Sequence, residues 1–123
     1  MDMKTILIID DNIDGGNSLQ LYLQLLGHQA SVVSSGTTAM ESLAQEMPDF
    51  IILDIGLPDM TGNEVARRIR AMPKGDLPLI LAASGWSSES DKQQILEAGC
   101  DMHRAKPLDL EELAKLIEAG ATI

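Results

Sequence analysis

Four charged side chains follow short apolar runs in this chain, in an arrangement typical of a metal-assisted site. Asp10 and Asp11 follow the first run, Asp54 follows a later one and Lys106 follows the last. Open α/β folds bring residues at the ends of parallel strands to one edge of the sheet, where their chemistry takes place. Three carboxylates that converge there repel one another unless a cation lies among them. Mg²⁺ is the commonest oxygen-binding candidate, and Mn²⁺ is its usual substitute.

The elements that must position these residues alternate between strand-like and helix-like segments five times. Strands are predicted at residues 5–9, 30–33, 50–53, 77–83 and 101–105. Apolar side chains at helical spacing fill the intervals. The predicted inner positions of three helices are Leu19, Tyr22, Leu23 and Leu26; then Met40, Leu43, Ala44 and Met47; and finally Leu110, Leu113, Ala114 and Ile117. Helix ends are predicted at Gly27 and Gly99, because glycine adopts the backbone conformation that terminates helices.

This alternation predicts right-handed crossovers, a parallel sheet and helices on both faces, which is a three-layer α/β (βα)5 domain. Five strands in so short a chain favour the flavodoxin-like strand order 2-1-3-4-5. In that order the first and third strands are neighbours. Asp10, Asp11 and Asp54 should therefore meet, although more than forty residues separate the pair from Asp54.

Length and composition indicate one domain, residues 1–123, with 45% hydrophobic residues to build a core. Nine basic and nineteen acidic residues give a formal net charge of −10, a sign that disfavours nucleic acid and anionic membranes as partners. The apolar runs are too short to span a bilayer, so a cytoplasmic location is expected. Cys100 is the only cysteine and is interpreted as a small buried hydrophobic residue.

Each candidate residue also has a purely structural interpretation. An aspartate after a strand often caps a helix, a lone lysine is usually a solvated surface residue, and Ser84 could cap a turn. Together they favour a site, because Asp10, Asp11, Asp54, Ser84 and Lys106 are all predicted at the same edge of the sheet.

Three segments and one serine resemble the receiver domain of two-component response regulators, and the likeness covers essentially the whole chain. Leu-Ile-Ile-Asp-Asp-Asn at residues 7–12 is similar to the acidic-pair strand of that family. Asp-Ile-Gly-Leu-Pro-Asp-Met-Thr-Gly at residues 54–62 is similar to its phosphoacceptor loop. Ala-Lys-Pro at residues 105–107 is similar to its Lys-Pro motif, and Ser84 stands where the family keeps Thr or Ser.

The resemblance implies a phosphoacceptor role for Asp54, which would attack the phosphohistidine of a sensor histidine kinase or histidine phosphotransfer domain. It implies an Mg²⁺ ion held by Asp11, Asp54 and the backbone carbonyl of Gly56, with Asp10 acting directly or through water. Such a domain phosphorylates itself and loses the phosphoryl group slowly, and it is not a turnover enzyme.

The resemblance further implies that Lys106 and Ser84 contact the phosphoryl oxygens, Ser84 only when phosphate is present. The resulting shift would be displayed to a downstream partner on the face formed by the fourth helix, fifth strand and fifth helix. His103 occupies the position of a switching aromatic residue there. An imidazole could still swing and would add a pH dependence near neutrality, and a half-exposed edge-strand histidine is the plain alternative.

Two other differences from the family pattern concern how long a phosphoryl group would persist on Asp54. Gly56 places no side chain two residues after Asp54, so nothing there orients an attacking water. Gly85 replaces a common alanine and is followed by Trp86, the only tryptophan, which is expected to cover part of the phosphate. These residues predict slow hydrolysis.

Other protein classes fit less well. A flavin-binding domain of this fold needs a Ser/Thr/Gly-rich phosphate loop where the acidic pair stands. A phosphohydrolase with an aspartyl nucleophile usually has a second acid at the position of Gly56. A degenerate receiver would lack some of the five side chains. Two hypotheses remain for the output: a stand-alone receiver, or a receiver from a larger protein such as a hybrid histidine kinase.

Overall fold

A five-stranded parallel sheet runs through the computed structural model, which describes residues 3–85 and 88–120. Its strands are β1 (Thr5–Ile9), β2 (Gln29–Val33), β3 (Phe50–Asp54), β4 (Leu79–Ser84) and β5 (Met102–Ala105). They lie in the order β2-β1-β3-β4-β5, and every pair is parallel. The predicted architecture and strand order are confirmed. All five residues of the central strand β3 are buried, as is usual for a parallel strand covered on both faces.

Five helices cover the two faces of the sheet: α1 (Ile13–Leu25), α2 (Gly36–Gln45), α3 (Gly62–Ala71), α4 (Glu89–Glu97) and α5 (Leu110–Gly120). Successive residues of a strand point to opposite faces. Ile6 and Ile8 accordingly pack with Leu23 of α1 and Leu113 of α5. Leu7 and Ile9, the alternate residues of β1, pack on the opposite face with the buried side chains of α2, α3 and α4. The three layers follow from this alternation.

Side-chain caps define where the helices begin. The side chains of Asn12, Ser35, Thr61 and Ser88 each accept a hydrogen bond from a backbone N–H in the first turn of the following helix, and such a cap stabilises a helix by about 1 kcal/mol. Asp109 Oδ1 likewise accepts from the N–H groups of Glu111 and Glu112 in the first turn of α5. Gly27 and Gly99 have φ values of 96° and 119°, in the region that glycine adopts without strain.

Three details of the sequence prediction were wrong. The fourth strand begins at Leu79 rather than Leu77, because Pro78 has no N–H for a ladder and Leu77 donates to the turn at Lys74 instead. Helix α2 ends at Gln45, which leaves Met47 outside it and Ala44 exposed. Leu110 is also exposed rather than on the inner stripe of α5.

Cys100 is buried, as predicted, with 5% of its surface exposed. Burial raises the pKa of its thiol to about 11, so it stays protonated. Within residues 3–85 and 88–120, no helix combines the length and the apolar character needed to cross a membrane.

Candidate functional site

The carboxyl ends of the strands bring the predicted side chains to one edge of the sheet. Strands β1 and β3 pair with Ile9 opposite Leu53, so the next residues, Asp10 and Asp54, leave the sheet side by side. Ser84 is the last residue of β4, and Lys106 directly follows β5. The backbone N–H of Lys106 donates to the Ser84 carbonyl at 2.8 Å, which holds the loop after β5 against the end of β4.

Three carboxylates form the acidic part of this edge. Each of Asp10, Asp11 and Asp54 offers an oxygen, and these oxygens lie within 4.8 Å of one another. Asp54 is buried, with 8% of its surface exposed, while Asp11 is exposed. The set of oxygen ligands and their spacing suit a hard divalent cation such as Mg²⁺. The donor chemistry therefore fits the predicted metal.

The electrostatics of Asp10 also favour a cation. Burial raises the pKa of its carboxyl above the ordinary value, and the neighbouring charge of Asp54 raises it further. The N–H of Asn12, which donates to Asp10 Oδ1 at 2.9 Å, and the Lys106 ammonium lower the pKa and offset part of the rise. Ionisation of Asp10 is therefore disfavoured, and a divalent ion beside it would relieve the repulsion.

Lys106 supplies a positive charge directly opposite the carboxylates. Its Nζ lies 3.3 Å from Asp54 Oδ2 and 3.5 Å from Asp10 Oδ2. On the other side, the N–H of Gly56 donates to Asp54 Oδ1 at 3.0 Å. One Asp54 oxygen thus faces the ammonium while the other is held by the backbone, which fixes the orientation of the carboxylate.

Ser84 and His103 are linked across β4 and β5. Ser84 Oγ and His103 Nε2 share a hydrogen bond of 2.8 Å, where Ser84 is buried and His103 half-buried. Burial lowers the pKa of the imidazole, and the charges of Lys92 and Arg104 lower it further. The imidazole is therefore harder to protonate than that of a solvent-exposed histidine.

The loop from Ile55 to Thr61 contains a contact that the sequence did not reveal. Asp59 Oδ1 accepts from the N–H of Gly36 at 2.8 Å, and Asp59 Oδ2 accepts from the N–H of Thr37 at 2.9 Å. The loop that follows the buried carboxylate is thereby tied to the start of α2. An aspartate in a turn-rich segment has many possible partners, and the sequence carried no signal that selected this one.

The structure places Asp10, Asp11, Asp54, Ser84 and Lys106 at the carboxyl ends of the strands. Their chemical roles, the role of the Gly56 carbonyl and the switch role of His103 stay predictions. Trp86, which is predicted to cover part of the phosphate, lies outside the described residues.

Comparison with known proteins finds relatives in both sequence and structure. A sequence profile described as the response regulator receiver domain matches residues 6–118. The transcriptional regulatory protein KdpE of Mycobacterium tuberculosis is 36% identical over 118 residues, which are 96% of this chain and 51% of that protein. The chain thus spans about half the length of the transcriptional regulators that it matches.

Two solved structures superpose closely. A two-component response regulator from Clostridium difficile has a TM-score of 0.91 at 25% identity, covering 98% of this chain and 97% of that one. The receiver domain of the sensor histidine kinase PA1611 from Pseudomonas aeruginosa has a TM-score of 0.89 at 27% identity, with coverage of 99% and 100%. That domain has a magnesium ion coordinated in its active site cleft.

Proposed function

Because the chain belongs to the response regulator receiver domain family, we propose that it accepts a phosphoryl group on Asp54 and changes conformation in response. Receiver domains of two-component systems are phosphoacceptors, and their partners are histidine kinases or phosphotransfer proteins.

One observation carries it: the Asp54 carboxylate lies 3.3 Å from the Lys106 ammonium while its oxygens belong to a cluster of three carboxylates within 4.8 Å. A buried carboxylate between an ammonium group and a candidate cation site is oriented for attack on a phosphoryl group. Phosphoryl transfer depends mainly on positioning and on neutralising charge, and both are provided here.

In the proposed step, a carboxylate oxygen of Asp54 attacks the phosphorus atom of a phosphohistidine. The new P–O bond forms as the P–N bond breaks, and the bonding pair stays on the imidazole nitrogen of the donor, which then takes a proton from solvent. The product is an acyl phosphate on Asp54. The donor is a histidine kinase or a histidine phosphotransfer domain.

Asp10, Asp11, Asp54 and the Gly56 carbonyl would hold the divalent ion, Mg²⁺ or Mn²⁺. When bound, the ion neutralises the carboxylates and stabilises charge on a phosphoryl oxygen. Asp10 and Asp11 provide the oxygen ligands without reacting themselves. The bonds to Asp54, from Gly56 on one oxygen and from Lys106 on the other, keep the reactive carboxylate oriented.

Ser84 would couple phosphorylation to conformation. Its hydroxyl is engaged with His103 at 2.8 Å, whereas a phosphoryl group on Asp54 offers it a charged acceptor. A hydrogen bond to a charged group is stronger than a neutral one, so phosphorylation would draw Ser84 away from the imidazole. His103 would then adopt a new arrangement on the surface formed by α4, β5 and α5, where a downstream partner would bind.

The chain performs its own phosphorylation and slow dephosphorylation and is not a turnover enzyme for an external substrate. Its matched regulators are about twice as long, so its output depends either on a separate partner or on further domains of a longer protein. Its acidic charge disfavours direct contact with nucleic acid.

Incubation with acetyl phosphate and Mg²⁺ followed by intact-mass measurement tests the proposal. The wild type should gain one phosphoryl group, and Asp54→Asn should gain none. Asp49→Asn is a matched control, because Asp49 precedes the same strand at the opposite edge of the sheet and bonds the N–H of Thr5. A phosphoryl group retained by Asp54→Asn, or none on the wild type, would refute the assignment.

A further inference from the structure

The loop between β3 and α3 is tied to a helix that lies far away in sequence. Asp59 accepts three hydrogen bonds from the start of α2: from the N–H of Gly36 at 2.8 Å, from the N–H of Thr37 at 2.9 Å and from Thr37 Oγ1 at 2.7 Å. These donors precede Asp59 by 22 or 23 residues. The tie therefore joins two separate segments of the fold.

Helix α2 already has a cap of its own. Ser35 Oγ accepts from the N–H of Thr38 at 3.1 Å, and Thr38 Oγ1 accepts from the N–H of Ser35 at 3.2 Å. Asp59 takes the two N–H groups that this capping box leaves without an intrahelical acceptor. The hydroxyl of Thr37 and these N–H groups lower the pKa of Asp59 to about 2, so its carboxylate is ionised at any physiological pH.

Apolar contact reinforces the polar tie. Met60 lies against Gly36 so closely that a Cβ atom at Gly36 would overlap the Met60 side chain. Met60 in turn packs on the core between the sheet and helices α2 to α4. The base of the loop is closed separately, by the N–H of Gly62 donating to the Ile55 carbonyl at 3.0 Å. Asp59 and Met60 thus hold the part of the loop that follows Gly56 against the start of α2.

We propose that Asp59 is a positioning residue for the cation site: by holding the loop against α2, it keeps the Gly56 carbonyl beside the carboxylates of Asp54 and Asp11. This inference rests on the proposed function, because it assumes that Gly56 is a ligand. Residues that orient a metal ligand from outside the coordination sphere contribute substantially to affinity.

Two variants separate positioning from simple helix capping. Asp59→Ala and Ser35→Ala each remove side-chain acceptors from the first turn of α2, and only Asp59→Ala also releases the loop. Both should lower the urea midpoint by similar amounts. Calorimetric titration with Mg²⁺ should show a dissociation constant raised on the order of tenfold in Asp59→Ala and changed less than about twofold in Ser35→Ala.

The phosphorylation rate with acetyl phosphate gives an independent measure. Asp59→Ala should need about tenfold more Mg²⁺ for half-maximal rate and should approach the wild-type rate at saturation, because Asp54 and Lys106 are untouched. Asp59→Asn keeps one acceptor oxygen and should be intermediate, which preserves the test if the alanine variant folds poorly.

Equal Mg²⁺ affinity in Asp59→Ala and Ser35→Ala would overturn the inference and leave Asp59 as a helix cap alone. That outcome would not affect the proposed function, since the wild type would still gain its phosphoryl group. A wild type that binds Mg²⁺ and gains none would refute the proposed function. The Mg²⁺ titrations of the two variants would still decide the role of Asp59.

Discussion

Asp54 and Gly56, two residues apart, contribute different groups to the site. Asp54 has 8% of its surface exposed, although proteins rarely bury a carboxylate without partners. Its partners are the Lys106 ammonium and the N–H of Gly56. Gly56 contributes a backbone donor and no side chain, so nothing at its position directs water toward a phosphoryl group on Asp54.

A side chain can be introduced at Gly56 without strain. A Cβ atom there would meet only Asp54 Oδ1, at the ordinary contact distance of 3.9 Å. We expect the wild-type acyl phosphate to persist for minutes or longer, and Gly56→Asn to shorten its lifetime on the order of tenfold, because an amide can orient water for attack. Gly56→Ala is the matched control and should retain the wild-type lifetime. Loss of radiolabel from the phosphorylated domain measures this, and a wild-type half-life of seconds would contradict the account.

The lowered pKa of His103 predicts how the free energy of unfolding depends on pH. Burial, followed by the charges of Lys92 and Arg104, lowers its pKa below the ordinary 6.5. Between 6.5 and the lowered value, the unfolded chain binds more protons than the folded one, so the free energy of unfolding should decrease as pH falls through that window. NMR titration of the imidazole should give a pKa below 6.5, and Lys92→Gln should raise it. A value at or above 6.5 in the wild type would contradict this explanation.

At the scale of elements, the sequence predicted what depends on local periodicity. The five strands, their order and the ends of two helices at Gly27 and Gly99 follow from apolar spacing and glycine, and they are confirmed. The predicted start of the fourth strand was wrong because a single residue, Pro78, determines where that strand begins. The exposure of Ala44 was missed because helical spacing alone does not say how far the neighbouring helix extends over the stripe.

The long-range ties between elements could not be predicted, because each pairs a common polar residue with backbone groups that only the fold brings near. Asp59 is one example. Arg70 of α3 is another: it donates to the carbonyls of Gly99, Gly75 and Pro78 and pairs with Asp101 at 2.8 Å. These contacts join α3 to the loops that precede β4 and β5.

The guanidinium of Arg70 is suited to this role because its planar donors reach several carbonyls at once, which an ammonium group does not. We expect Arg70→Lys to lower the free energy of unfolding by roughly 1–3 kcal/mol, since buried carbonyls lose their donors. Arg67→Lys, at an exposed side chain of the same helix, should change it by less than about 0.5 kcal/mol. Urea denaturation of both variants measures the difference, and equal effects would refute the special role of Arg70.

At the scale of the whole molecule, the amino ends and the carboxyl ends of the strands differ in their contacts. The edge at the amino ends of the strands is held by ties such as Arg70 with Asp101, and Asp49 with the N–H of Thr5. The edge at the carboxyl ends gathers like charges instead, within a chain of net charge −10. The amino ends of the strands are thus held by ion pairs and hydrogen bonds, whereas the carboxyl ends bring together carboxylates whose repulsion a cation would relieve.

The cluster of carboxylates predicts how Mg²⁺ binding changes the free energy of unfolding. Mg²⁺ at ten times its dissociation constant should raise the free energy of unfolding by about 1.4 kcal/mol. Asp10→Asn should stabilise the metal-free protein on the order of 1 kcal/mol, because it removes a charge from the cluster, and should respond much less to Mg²⁺. Urea unfolding with and without Mg²⁺ measures both effects. A full Mg²⁺ response in Asp10→Asn would show that the ion binds elsewhere.

The central claim, that Asp54 accepts phosphate between a cation and Lys106, is tested most directly by a crystal structure with Mg²⁺ and beryllium trifluoride, a mimic of the phosphoryl group. The mimic should lie on a carboxylate oxygen of Asp54, in contact with Lys106 Nζ and Ser84 Oγ, with the ion between Asp11 and Asp54 and the Ser84–His103 hydrogen bond broken. A mimic on any other residue, or an ion remote from the three carboxylates, would contradict it.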